Sequence, residues 1–436
     1  MGKGQDLYNK AKNIIPGGTM LLSKRPEMYL PENWPSYYEK TDGCYVWDLD
    51  GNKLLDMHIM GIGTNTLGYN HPKVDEAVLN TLKKGNMSTL NCPEEVLLAE
   101  RLVELHPWAE MVRFARSGGE ANAIAIRIAR AASGKEKVAI CGYHGWHDWY
   151  LASNLGESDN LDGHLLPGLD ILGVPKSLRN TVIPFKYNDL DLIRKIIEQN
   201  PDLGVIKMEV MRNEGPNPGY LEGIRKLCDD NHIVLIFDEC TSGFRETFGG
   251  IHKKFNVNPD ICMFGKALGN GYAITSVIGK RSVMEAAQKS FISSTFWTER
   301  IGPTAGLATL DVMQEESSWE VITEQGRKIQ DGWKELNNSL NFNIKISGIP
   351  ALSSFIIETD QWLKCKTFIA QEMLKNNILA SNTVYLCTHH NDSLIKEYFD
   401  KLYPILNEIE KYLTNDMDLA QKLNGPLCHD GFKRLN

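Results

Sequence analysis

The sequence predicts an α/β protein: a large domain on a mostly parallel sheet, and a small α+β domain drawn from both termini. Three observations carry that prediction. Between residues 76 and 325, short β-rich apolar runs (KVAIC, LGVIKMEV, HIVLIFDEC, DICMF and AITSVIG) alternate with helix-period segments. Such runs, apolar at nearly every position, suit strands covered on both faces, as parallel strands are. Before residue 75 the chain mixes turns with short strands, and YVWDLDGNKLLDM (45–57) alternates around an Asp-Gly turn as a hairpin does. From residue 326 onward it offers an amphipathic helix, EYFDKLYPILNEIEKYL, and the strands NIKIS and SSFIIE. The expected segments are therefore 1–75, 76–325 and 326–436, with the first and last sharing the small domain.

Composition narrows the function. With 436 residues, 42% apolar and 23% charged, the chain is long enough for two sizeable cores. Its net charge of −8 is spread without a basic run, so no nucleic-acid partner is expected. No segment approaches about 18 consecutive apolar residues, and the opening MGKGQDLYNKAKNIIPGG lacks the apolar centre of a secretory leader. Nine cysteines, with no C-x-x-C pair, argue against a disulfide framework and a zinc site. A cytoplasmic protein acting on small molecules, with no membrane partner and no metal, is the expectation.

In an open parallel sheet, ligands bind beyond the carboxyl ends of the strands. The residues just after the apolar runs are Gly142-Tyr143-His144-Gly145, Glu209, Asp238-Glu239 and Gly265-Lys266. A lysine and an aspartate on one rim are what pyridoxal 5'-phosphate (PLP) requires: an amine to form a Schiff base and a carboxylate to keep the ring nitrogen protonated. Lys266 would then also be the general base and acid at the substrate carbon. Taken alone, Lys266 reads more readily as a solvated surface lysine and Asp238 as a helix N-cap or turn residue.

A phosphate cradle is offered by Ser117-Gly118-Gly119, which precede a helix with Ile124, Ile128 and Ala131 on its apolar face. Glycines admit the backbone to the ligand, and a helix N-terminus favours an anion. The same pair could be a simple tight turn. Neither a Walker pattern nor a G-x-G-x-x-G fingerprint is present, which argues against a nucleotide. Tyr143 would stack on the cofactor ring or pack in the core. His144 and His147 read as structural. Cys240 would press on the opposite ring face or fill the core.

SGGEANAIAIRIARA, GYHGWHD, IFDECTSGFR and FGKALGNG, in this order and spacing, resemble the class III aminotransferases of PLP fold type I, most closely the glutamate-1-semialdehyde aminomutase-like branch. Family-like text begins at IIPGG (14–18), runs through GCYVWDLDGNKLLDM and LGYNHPKVDEAV, and reaches the end of the large domain. The resemblance implies Lys266 as the Schiff-base lysine and Asp238 as the pyridinium partner. It also implies Gly118 and Gly119 at the phosphate, Tyr143 on the ring and Glu209 in support. Thr295, in SSTFWTER, matches a threonine that reaches the phosphate bound by the neighbouring subunit, which implies a homodimer with shared active sites.

Two departures bear on the substrate. Trp297-Thr298-Glu299-Arg300 replaces the Gly-Asn-Pro that relatives often carry after that threonine, so a reshaped entrance is expected. Between Arg327 and Arg434 there is no arginine, although many class III transaminases hold a substrate carboxylate with one there. Arg25 is the candidate replacement, and the tail that carries Arg434 is the other. The resulting expectation is an aminotransferase passing an amino group by ping-pong half-reactions from an amino-acid donor, glutamate by default, to an aldehyde or ketone, sugar-derived compounds included. The alternatives are an intramolecular aminomutase on a glutamate-1-semialdehyde-like substrate, an amino-acid racemase or epimerase, and a non-catalytic PLP-fold protein.

Overall fold

A computed structural model describes residues 2–164, 167–211 and 213–431. The chain divides into two compact units, one spanning Pro72–Trp319 and the other combining Met1–His71 with Glu320–Asn436.

The large unit is organised by a seven-stranded sheet. Its strands are β1 (Met111–Ala115), β2 (Lys137–Cys141), β3 (Val182–Pro184), β4 (Leu203–Met208), β5 (Val234–Glu239), β6 (Ile261–Phe264) and β7 (Thr275–Gly279). They lie in the spatial order β1-β7-β6-β5-β4-β2-β3. Pairs from β6 to β3 are parallel, whereas β7 runs antiparallel to both β1 and β6. Every residue of β4, β5, β6 and β7 is buried, consistent with their apolar sequences. Strand β1 was not evident in the sequence: four of its five residues are only half-buried, so MVRFA keeps a polar Arg113 and shows no continuous apolar run.

One face of this sheet packs under helix α1 (Gly118–Ser133). Ile140, Val205, Ile236, Met263 and Val277 meet Ala121, Ile124, Ala125 and Ile128 in a single apolar cluster. The helix starts at a capping box. The Ser117 hydroxyl accepts from the Glu120 amide, and Glu120 Oε2 accepts from the Ser117 amide at 2.9 Å. It ends at Gly134, in the left-handed region that glycine tolerates.

In the small unit, the predicted hairpin forms between Tyr45–Asp48 and Lys53–Asp56, with Val46 opposite Leu54. Ile378–Leu379 adds to it in parallel beside Leu55 and Asp56, joining the two ends of the chain. A three-stranded antiparallel sheet and the helix Asp392–Thr414 complete the core, where Trp333 and Tyr398 are fully buried and share a 3.2 Å hydrogen bond. Among the described residues, no helix is long and apolar enough to cross a membrane.

Candidate active site

The ends of β5 and β6 bring the candidate residues together. Asp238 and Glu239 lie inside β5, not beyond it, because the ladder continues with Asp238 opposite Met263 and Glu239 opposite Phe264. That placement corrects the sequence expectation, and it sends the two carboxylates to opposite faces of the sheet. Lys266 opens a short 3₁₀ turn, Lys266–Gly269, directly after Gly265. Its backbone has φ +39°, a left-handed conformation that costs a non-glycine residue about 1–2 kcal/mol. Its amine donates to the Thr241 hydroxyl at 2.7 Å.

Asp238 is only 4% exposed. Its Oδ2 lies 2.8 Å from His144 Nδ1 and 3.5 Å from Lys207 Nζ, while Oδ1 accepts from the Cys240 amide at 3.2 Å. Burial pushes this carboxyl up, but Lys207 and His144 outweigh burial and hold it well below the usual carboxylate range. Burial and then Lys207 push His144 down while Asp238 acts in the other direction, and the ring sits between two oxygens, with Nδ1 facing Asp238 Oδ2 and Nε2 facing the Cys141 carbonyl at 3.2 Å. Cys240 lies between the two key groups. Its thiol is pushed far up, first by burial and then by Asp238, while Lys207 and Lys266 act in the other direction. It is an uncharged filler beneath Gly265, where a Cβ would come within 3.5 Å of its sulfur.

The loop after β2 is fixed from β4. Glu209 Oε2 accepts from the Tyr143 amide at 3.1 Å, and a Cβ on Gly142 would sit 2.5 Å from the same oxygen. Only glycine fits there, and its φ of +110° says the same. Tyr143 is half-buried, with its ring edge-on to Tyr150 at 5.9 Å. Gly145 then approaches Gly119 closely, since a Cβ on Gly145 would lie 3.1 Å from Gly119 Cα. A Cβ on Gly118 would meet nothing within 4 Å, so the start of α1 is open on that side. Beside Gly119, His147 Nδ1 is buried without a hydrogen-bond partner.

These features fit PLP by the chemistry of the donor set: an amine at Lys266, a charged carboxylate at Asp238, and an open helix N-terminus with an orphaned imidazole nitrogen beside it. Thr295 is exposed and opens the 3₁₀ turn Thr295–Thr298. Glu299 and Arg300, where a reshaped entrance was expected, are engaged within the large unit. Glu299 pairs with Arg116 at 2.7 Å and caps the following helix, and Arg300 forms a two-pronged bond with Glu94 at 2.7 and 2.8 Å. Arg25 belongs to the small unit, where its guanidinium packs against Gly17 and influences the Tyr8 hydroxyl, itself bonded to Glu27 at 2.9 Å. Arg434 lies outside the described residues.

Sequence reasoning missed three neighbours. Thr241 was hidden because its partner lies 25 residues away. His144 meets Asp238 across 94 residues. Lys207 did leave a signal, a lysine in the middle of the apolar run LGVIKMEV.

Comparison with known proteins gives the family and the fold. The profile described as aminotransferase class-III matches residues 30–383. The chain is 32% identical to a 3-aminobutyryl-CoA aminotransferase from Cloacimonas acidaminovorans (strain Evry), covering 95% of this chain and 99% of the relative. It is 31% identical to a glutamate-1-semialdehyde 2,1-aminomutase from Sulfurisphaera tokodaii, covering 93% and 100%. In fold it is similar to the FumI protein of Sphingopyxis sp. MTA144, solved in its PLP internal aldimine form, with a TM-score of 0.86 at 22% identity over 97% of this chain and 100% of that one. The architecture is PLP-dependent transferase fold type I. The chain belongs to the class III aminotransferase family, whose enzymes depend on PLP.

Proposed function

We propose that this aminotransferase moves an amino group from an amino-acid donor, glutamate in the first instance, to an aldehyde or ketone acceptor of polar, sugar-like character. The observation that carries the reading is the pairing at the ends of adjacent strands, with the Lys266 amine held by Thr241 and the Asp238 carboxylate held charged by His144 and Lys207. PLP, when bound, supplies an electron sink for the pair of electrons left on the substrate carbon. Lys266 would attach the cofactor and, once its amine is free, would serve as the base that takes a proton from the substrate carbon and the acid that returns one. Thr241 holds the amine in place while it is free. Asp238 would supply a negative charge to the ring nitrogen, and burial would make that charge more effective than it would be in water. Gly118 and Gly119 would hold the phosphate through the amides at the start of α1, with Ser117, whose own amide is bonded to Glu120, shaping the turn before them. Tyr143 would pack on the ring, with Glu209 setting its backbone, and Cys240 would fill the opposite side.

In this reading Pro72–Trp319 is the cofactor-binding domain, and Thr295 serves the site of a second copy of the chain, so the working unit is a homodimer. Arg25 binds the donor carboxylate.

A second reading is an intramolecular aminomutase, favoured by the resemblance to the Sulfurisphaera tokodaii relative. A donor and acceptor screen separates the two. An aminotransferase makes 2-oxoglutarate from glutamate beyond one equivalent per active site only when a carbonyl acceptor is added. An aminomutase isomerises its single substrate with no acceptor and releases no keto acid.

A further inference from the structure

The lysine inside β4 is out of place in its surroundings. Lys207 is fully buried, pairs in register with Ile140 of β2 and Ile236 of β5, and shares its sheet face with Val205 and Met263 in the apolar layer under α1. An amine taken out of water into such a layer costs several kcal/mol, and an aliphatic side chain of similar length would fill the same space without that cost. Lys207 Nζ has two polar contacts there: Met263 Sδ at 3.0 Å, a weak acceptor, and Asp238 Oδ2 at 3.5 Å. The burial is therefore offset chiefly by the carboxylate.

We propose that Lys207 is a positioning residue for the cofactor site: its amine, delivered through the sheet from the neighbouring strand, anchors Asp238 as an ion and holds Oδ2 against His144. This rests on the reading that Asp238 faces the cofactor ring nitrogen. The amine also shares the charge that the ring nitrogen would draw on, so Lys207 moderates how tightly that nitrogen keeps its proton. The ionisable groups around the carboxylate are His144, Lys207 and the thiols of Cys240 and Cys262, with Glu209 acting on His144. The charge of Lys207 is the largest single influence opposing burial at this carboxylate, followed by the hydrogen bond and the charge of His144.

The test is urea unfolding of the full-length chain without cofactor, between pH 5 and 9, for wild type, Lys207→Met, Asp238→Asn and the double variant, together with the Kd for PLP of each across the same range. With Lys207 gone, burial raises the Asp238 carboxyl, and the folded state holds a proton that the unfolded chain releases. The unfolding constant of Lys207→Met then rises relative to wild type by up to about tenfold per pH unit through that titration. Adding Asp238→Asn abolishes the difference. PLP binding by Lys207→Met weakens relative to wild type as the pH falls, because a protonated Asp238 carries no charge for the ring. Parallel pH profiles for wild type and Lys207→Met overturn the proposal. Should Lys207→Met fail to fold, recovery of folding in the double variant supports the pair, and continued failure overturns it. Failure of the underlying reading shows differently: the stability linkage persists while Asp238→Asn binds PLP as wild type does.

Discussion

Asp238 and Glu239 are consecutive residues of one strand, both buried, both carboxylates, and both bonded to a histidine, yet they sit in two unlike environments. On its face, Glu239 accepts from the Ile251 and His252 amides and from His252 Nδ1 at 2.6 Å. His252 Nε2 accepts from Trp108 Nε1 at 3.1 Å, and the neighbouring His106 accepts from the Gly250 amide at 3.0 Å and bonds to the Leu102 carbonyl at 2.9 Å. Each hydrogen bond is matched, and the network ends in backbone. Glu239, His252 and Cys262 lie within 4.8 Å of one another, as metal ligands might. The Glu239 and His252 atoms are already engaged, however, and burial pushes the Cys262 thiol far up. On the other face, Asp238 shares a neighbour with a lysine amine at the mouth of the sheet. The difference teaches that a buried carboxylate–histidine pair is not by itself an active site. What distinguishes the Asp238 side is a charged group held beside an amine and an open helix terminus.

The sharpest way to test this contrast is to remove the amine. Lys266→Ala should lower turnover by at least about a thousandfold, the scale of losing a proton-transfer group, while leaving the fold intact. Steady-state assay and circular dichroism check both halves. Next in size is Asp238→Asn, which keeps the shape but not the charge. Losing charge stabilisation in a buried site costs about 3 kcal/mol, so the rate should fall roughly a hundredfold. A rate within a factor of two of wild type would remove Asp238 from the chemistry.

Glu239→Gln should behave in the opposite way. An amide at that position sets its own donor against the donors that now point at the carboxylate, a loss of about 3 kcal/mol or more in stability. Turnover per folded molecule should stay near wild type. A folded, fully stable but inactive Glu239→Gln would break the comparison.

The Glu239 face should also respond to acid through His106, which burial pushes down to about 3. A histidine whose folded pKa lies below its unfolded value of about 6.5 gives its full stability above about pH 6.5. That stability is lost as the pH falls toward 3, because the unfolded chain takes up the proton first. His58 and His390, both pushed down to about 4 by burial, act in the same direction in the small unit. Urea midpoints should therefore decline steadily from pH 7 to pH 4, and His106→Gln should flatten part of that slope.

The smallest expected effect is at Thr241→Val, which removes one hydrogen bond from the Lys266 amine. One such bond is worth about 1 kcal/mol, or roughly fivefold in rate. A kcat loss with an unchanged KM would match a role in holding the amine.

Much of this was legible in the sequence, for physical reasons. Strands buried on both faces are apolar nearly throughout, so β2, β4, β5, β6 and the antiparallel β7 stand out as runs, and the residues at the ends of the parallel ones converge on one edge. The half-exposed β1 has no such requirement and was not visible. Within the site, Lys266 and Asp238 could be picked out because they end apolar runs. Thr241, His144 and Lys207 could not be given roles, because each acts on a partner set by strand order and register rather than by spacing along the chain. The carboxylate pair shows the limit most plainly: only the continuation of the β5–β6 ladder puts Asp238 and Glu239 on different faces.

The central claim is that Lys266, and no other lysine, carries the cofactor. It is tested most directly by loading the protein with PLP, reducing it with borohydride, digesting it and locating the modified residue by mass spectrometry. The account predicts one phosphopyridoxyl group per chain on the peptide containing Lys266, and none in Lys266→Ala. A group fixed on a different lysine in wild type, or retained in Lys266→Ala at wild-type stoichiometry, would contradict it.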